Sequence, residues 1–194
     1  QRLAISPRHN WQSKVEEVGL TYHTHDEGPY WDESAYYQLD SREVDEVEAA
    51  ANTLHQLCID AAEVVIKNDW WHRLAIPDPA IPVIQASWDR DDFSLYGRFD
   101  FACDGAAPPK LLEYNADTPT ALLEASVAQW FWLKDSFAAA DQFNSIHERL
   151  IDAWKQLAPP RVHFAGVKDH PEDEQTVLYL QDTCHQAGFD TRRL

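Results

Sequence analysis

The sequence predicts an α/β chain, more narrowly an α+β fragment. Three observations carry this reading: a long amphipathic helix after residue 40, an alternating two-strand segment between 94 and 115, and a strand followed by a helix after 160. In order, these make a helical N-terminal part, an antiparallel hairpin, and the start of a parallel βα unit. With 194 residues the chain holds one domain and part of a second. We expect residues 1–158 to form the helical region with the hairpin, and 159–194 to open a Rossmann-like βα domain.

Each element has a local reason. The first forty residues are turn-rich and aromatic, with Trp11, Tyr22, Tyr30, Trp31, Tyr36 and Tyr37 among Pro, Gly, Asp and Glu. Asp40 can cap a helix, with Glu43 as the return half of a capping box. Val44, Val47, Ala51, Leu54, Cys58, Ala61 and Val65 hold one face to about Lys67. Pro77, Pro79 and Pro82 then break regular structure. Ser94 to Cys103 alternates, with Leu95, Gly97, Phe99 and Phe101 on one face and Tyr96, Arg98 and Asp100 on the other. After a turn at 104–109, Lys110 to Asn115 puts Leu112 and Tyr114 on one face and Leu111, Glu113 and Asn115 on the other. Thr118-Pro119 signals a helix start running to Lys134. A helix from about Asp141 to Leu157 turns Phe143, Ile146, Leu150, Trp154 and Leu157 inward and stops at Pro159-Pro160. Val162–Val167 reads as a buried strand, and Pro171–Ala187 as a helix ended by Gly188.

Composition narrows the partners. The net charge of −17, from 33 Asp+Glu against 16 Lys+Arg, argues against nucleic acid or an anionic membrane, which need a basic footprint. It permits amines and divalent metals. No stretch approaches 18 apolar residues, and no basic-then-apolar leader opens the chain. Three cysteines without CxxC spacing fit a reducing cytoplasm. The absence of methionine and the ends at Gln1 and Leu194 suggest a piece of a longer protein.

The hairpin carries the chemistry. Alternation places Arg98 and Asp100 on one strand face, and Glu113 and Asn115 on one face of the next. In the matching register, two carboxylates, an amide oxygen and a guanidinium converge. Such oxygen donors suit Mg²⁺, and the arginine suits phosphate or carboxylate. Thr118 and Thr120 lie where a helix N-terminus favours an anion. Spacing alone leaves a second reading open, a solvated Arg–Asp–Glu ion-pair lattice.

Other groups have blander alternatives. His23, His25, Asp26 and Glu27 have metal-site composition without a specified third ligand, so a surface loop is the default. Cys58 and Cys184 suit helix packing. Trp70, Trp71, Trp130 and Trp132 suit core packing better than a ligand wall. Glu43, Asp45, Glu46 and Glu48 read as a solvated face. Tyr30, Trp31 and Glu33 can line an amine site.

Tyr96-Gly97-Arg98-Phe99-Asp100-Phe101, followed by Leu112-Glu113-Tyr114-Asn115-Ala116-Asp117-Thr118-Pro119-Thr120, resembles the synthetase region of glutathionylspermidine synthases. Gly28-Pro29-Tyr30-Trp31 and Gln142-Phe143-Asn144-Ser145-Ile146-His147-Glu148 extend the resemblance over most of the chain. It is to the N-terminal half of the short, synthetase-only type. The resemblance implies an ATP-grasp ligase that joins the glycine carboxylate of glutathione to spermidine with ATP and Mg²⁺. At matching positions it implies that Asp100, Glu113 and Asn115 hold Mg²⁺, and that Arg98 steadies the transferred phosphoryl group and the acyl phosphate. Thr118 and Thr120 stand where relatives place serines in the glutathione-binding segment, so the hydroxyls remain while added methyls and Pro119 alter the pocket. No glycine-rich phosphate loop or ATP-clasping lysine pattern occurs before Leu194, so residues 1–194 alone should lack synthetase activity; the motifs come with no cysteine–histidine amidase domain of the bifunctional kind, which is why the resemblance is to the synthetase-only type. A non-catalytic polyamine- or peptide-binding module and a metal-dependent hydrolase are the other readings.

Overall fold

The computed structural model describes residues 1–117, 119–158 and 161–194. They divide into two units, one made of residues 1–39 and 117–194 and the other of residues 40–116. Among the described residues, six α-helices and four two-stranded sheets make up the mixed α/β architecture. No helix among them is long and apolar enough to cross a membrane.

In the first unit, β1 (Arg2–Ala4) pairs antiparallel with β4 (Ala35–Tyr37), placing Leu3 opposite Tyr36. Between them lie α1 (Trp11–Glu17) and a minimal hairpin, β2 (Thr24–His25) with β3 (Gly28–Pro29). The turn-rich reading of this segment misses these strands because two- and three-residue strands show no alternation. A buried ion pair ties the segment down. Glu33 accepts from the Arg8 backbone N–H at 3.1 Å, from Arg8 Nε and Nη2, and from the Trp31 indole at 3.0 Å. Arg8 Nη1 continues to Asp135 at 2.8 Å.

The helix expected from Thr118 starts later. Thr118 lies outside the described residues. Ala121 adopts a left-handed conformation with φ of 63°, which breaks helical geometry before Leu122. A π-helical segment, Glu124–Ala128, leads into α4 (Gln129–Ser136). The Asn144 amide donates to the Ala125 carbonyl inside that segment at 3.2 Å, and its oxygen accepts from Ile146 N at 3.4 Å. This engagement explains why α5 spans Ile146–Leu157 instead of beginning near Asp141. Phe143 is therefore outside the helix and exposed, contrary to its expected inward position. The Pro159-Pro160 stop lies outside the described residues; Ala158, at φ 41°, already ends helical geometry.

The strand–helix order does build a parallel βα unit. β7 (Val162–Phe164) and β8 (Thr191–Arg193) pair in parallel, with α6 (Pro171–Gln186) between them. Trp154 of α5 meets Phe164 edge-on at 5.9 Å and donates its indole N–H to Thr183 of α6 at 3.0 Å. Val15, Leu20, Leu122, Leu123, Ala128, Leu150, Tyr179 and Cys184 complete the core of this unit, and burial pushes the Cys184 thiol up.

In the second unit, α2 runs Ser41–Lys67 behind the predicted capping box: Glu43 N donates to Asp40 Oδ1, and Asp40 N to Glu43 Oε2, both at 2.8 Å. The predicted stripe is half-buried except Ala61, which is exposed while Ala62 takes its place. Two 3-10 turns, Trp71–Leu74 and Asp78–Ala80, lead to α3 (Ile81–Asp89). The hairpin, β5 (Arg98–Ala102) with β6 (Lys110–Asn115), is antiparallel as short separation predicts.

Candidate metal-binding face of the hairpin

Register decides which side chains meet. Arg98 stands opposite Asn115, Phe99 opposite Tyr114, and Asp100 opposite Glu113. Beyond Asp100 the register shifts, so that Phe101 faces Leu111 and Leu112 is the extra residue. Leu112 is accordingly 70% exposed and does not share the buried face with Tyr114, as strict alternation predicts. The bulge comes just after these three rungs, and it leaves the pairing of the two polar ones, Arg98 with Asn115 and Asp100 with Glu113, intact.

On the polar face, Arg98 Nε donates to Asp100 Oδ1 at 2.9 Å and Nη2 to Oδ2 at 3.3 Å. One orientation of the Asn115 amide suits both neighbours: its nitrogen donates to Glu113 Oε1 at 3.2 Å, and its oxygen accepts from Arg98 Nη2 at 3.1 Å. Asp100 and Glu113 are cross-strand neighbours of like charge, a destabilising pair unless a cation lies between them. Among the described residues Arg98 pairs with Asp100, and no ion pair reaches Glu113. The face thus combines the expected ion pair with spare carboxylate acceptors.

The opposite face is aromatic. Tyr114 stacks on Phe99 with ring centroids 4.0 Å apart, and its hydroxyl is 3.1 Å from His55 Nδ1 on α2. Burial pushes the Tyr114 phenol up, with the nearby Cys58 thiol adding to the effect. Gly97 lies hard against this ring, a feature for which alternation carries no signal.

The donor set fits Mg²⁺. Two carboxylates and an amide oxygen, half-exposed or exposed, are hard oxygen ligands that leave positions for water and phosphate. Among the described residues no group of three or more His, Cys, Asp or Glu is gathered for a metal, so this mixed set is the one left to consider.

The remaining candidates separate. Thr120 is half-buried and belongs to the other unit. His23 bonds Glu16 at 3.0 Å, while His25 packs edge-on against Tyr22 and Tyr30, so the two histidines do not form a metal pair. Glu33 cannot serve an amine, because Arg8 and Trp31 consume its carboxylate in a buried site. Tyr30 donates to Glu124 at 2.9 Å, placing a carboxylate of the π segment beside the early aromatic stretch. The 3.6-residue pattern gave no hint of that segment. Trp71 is buried, Trp70 lies under Arg73, Trp130 lies under Lys134, and Trp132 packs on Tyr36.

Comparison with known proteins gives the family. The chain is 37% identical over 187 residues, 91% of its length, to a Haemophilus influenzae protein described as "Putative acid--amine ligase", of which it covers 47%. It is 33% identical over 167 residues to the bifunctional glutathionylspermidine synthetase/amidase of Escherichia coli, with 82% of this chain and 26% of that protein covered. It is 30% identical over 162 residues to trypanothione synthetase of Crithidia fasciculata, with 80% and 25% covered. The chain thus spans about half the length of the first relative and about a quarter of the other two. The model of the glutathionylspermidine synthase preATP-grasp family matches residues 2–194, and the chain belongs to that family.

Proposed function

We propose that this chain is part of an ATP- and Mg²⁺-dependent carboxylate–amine ligase acting through an acyl phosphate. The observation that carries the reading is the Asp100–Glu113 pair, set face to face across the hairpin with Asn115 and Arg98 on the same side. The relatives' names, glutathionylspermidine synthetase and trypanothione synthetase, point to glutathione-like acids and polyamines as substrates.

A carboxylate is a poor electrophile. Its oxygen attacks the γ-phosphorus of ATP and ADP leaves; the amine nitrogen then attacks the acyl carbon, forming the amide and releasing phosphate and a proton. Asp100, Glu113 and Asn115 would hold Mg²⁺, which when bound neutralises charge on phosphate oxygens. Arg98 orients the transferred phosphoryl group and stabilises charge on its oxygens. That role requires the guanidinium to swing from Asp100, and a half-exposed ion pair costs little to open. Catalysis here is positioning and electrostatics. Thr118 and Thr120 offer hydroxyls to the acyl substrate, as the resemblance implies. On this reading residues 1–194 by themselves do not turn over ATP, because they match only 47% of the first relative and 26% of the second.

The test uses the protein that carries this chain together with whatever sequence flanks it. ATP hydrolysis is measured with Mg²⁺, with and without glutathione and candidate amines, for wild type and Asp100→Ala. Metal-dependent turnover that the substitution abolishes supports the ligase. Amine binding unaffected by the substitution, with no turnover under any condition, refutes it in favour of a binding module.

A further inference from the structure

We propose that Gly97 is a positioning residue for the metal-binding face, because the space its side chain would fill is occupied by Tyr114. The proposal rests on the metal reading above. A Cβ at position 97 would stand 2.8 Å from Tyr114 Cε2, 3.2 Å from the Tyr114 hydroxyl and 3.2 Å from the Asn115 carbonyl oxygen. Gly97 is not among the glycines with positive φ, so the demand is for space and not for an unusual backbone conformation.

The tyrosine is poorly placed to yield. Its ring lies nearly parallel to Phe99, at 15° and 4.0 Å. Its hydroxyl is engaged by His55, whose ring meets it edge-on at 6.0 Å. A methyl at 97 therefore presses on β6 at two points, the Tyr114 ring and the Asn115 backbone. Glu113 and Asn115 flank Tyr114 and point to the other face of the strand, so displacement of Tyr114 displaces both proposed ligands. Arg98, bonded directly to Gly97 and paired with Asn115, shifts at the same rung. Tyr114, with its hold on Phe99 and His55, acts as the backstop against which the face is set. Gly97 has no side chain to ligate anything, which is why a search for ligating groups passes over it.

The experiment measures Mg²⁺ affinity by calorimetric titration on the protein carrying this chain, with melting temperature recorded in parallel. Variants are Gly97→Ala, Tyr114→Leu and the double substitution. Supporting residues around a metal site are worth about 10–100-fold in affinity, and Gly97→Ala should fall in that range. The double variant should match Tyr114→Leu, since removing the ring makes room for the methyl. If Gly97→Ala does not fold, the comparison of the double variant with Tyr114→Leu still decides: equal affinity supports the proposal, and a further loss overturns it. Affinity of Gly97→Ala within about twofold of wild type, against the expected effect, overturns the positioning role while leaving the metal reading standing. Absence of Mg²⁺ binding in wild type overturns the metal reading, and the proposal with it.

Discussion

Replacing Glu33 with glutamine is expected to unseat the N-terminal segment from the first unit. The Glu33 side chain is 0% exposed and that of Arg8 only 9%. Both carboxylate oxygens are taken: Oε1 by Arg8 Nη2 at 2.6 Å and Trp31 Nε1 at 3.0 Å, and Oε2 by Arg8 Nε at 3.0 Å and the Arg8 backbone N–H at 3.1 Å. Whichever oxygen becomes an NH₂ group, it faces donors, and the buried guanidinium loses its buried counter-charge, keeping only the half-exposed Asp135 at 2.8 Å. Breaking a buried pair by removing one partner costs about 3–5 kcal/mol. Glutamine keeps one acceptor, so the low end, about 3 kcal/mol, applies. At roughly 2–4 °C per kcal/mol for a chain of this size, the melting temperature should fall by about 6–12 °C. Asp135, whose side chain is 42% exposed, should matter far less, and Asp135→Asn should cost under about 1 kcal/mol. Burial pushes the Glu33 carboxyl up, but the hydrogen bonds and charge of Arg8, with the Trp31 indole, outweigh it and hold the carboxyl below its ordinary range. Its contribution is therefore fully present above the pKa of an unfolded glutamate and is lost as pH falls through the depressed folded value. The gap between wild type and Glu33→Gln should narrow on acidification through and below the ordinary carboxylate range. Thermal melts followed by circular dichroism across that range provide the assay. A variant melting within about 2 °C of wild type at neutral pH, where the structure predicts several kcal/mol, refutes the reasoning; so does a gap that ignores pH.

Further outcomes are expected elsewhere. Asp40→Ala removes half of the capping box on α2 and should cost about 1 kcal/mol, seen as faster amide exchange over the first helical turn and not at its far end. Thr183→Val leaves the buried Trp154 indole N–H without its acceptor; a cost of about 1–3 kcal/mol should appear in denaturant titration, whereas Thr183→Ser should be much milder. The Asp100→Ala substitution, lethal to turnover on the proposed mechanism, should lower stability by less than about 1 kcal/mol, because its ion pair with Arg98 is 38% exposed on each side.

Much of this molecule is legible in its residues because the signals are local. The Asp40–Glu43 box, the 3.6-residue stripe of α2, and the alternation that brings Arg98, Asp100, Glu113 and Asn115 to one face each depend on neighbours a few positions apart. The parallel pairing of β7 with β8 follows from strand–helix order. Phe143 illustrates the limit. Its apolar character and spacing argue for an inward helical position, yet the Asn144 side chain is spent on the Ala125 carbonyl and holds the segment out of the helix.

The aromatic N-terminal stretch shows the same division. Glu33 beside Trp31 and Tyr30 has the chemistry of an amine site, and local reading cannot see that Arg8, 25 residues away, closes around it. The amino-acid order therefore settled the long helix α2 with its cap, the βα order near the end, the polar hairpin face and the family resemblance, all short-range patterns. Tertiary structure alone decided which carboxylate is consumed by a buried arginine, where the hairpin register slips, and why position 97 has no room for a side chain. Those outcomes depend on contacts between distant residues competing for the same space and the same hydrogen bonds.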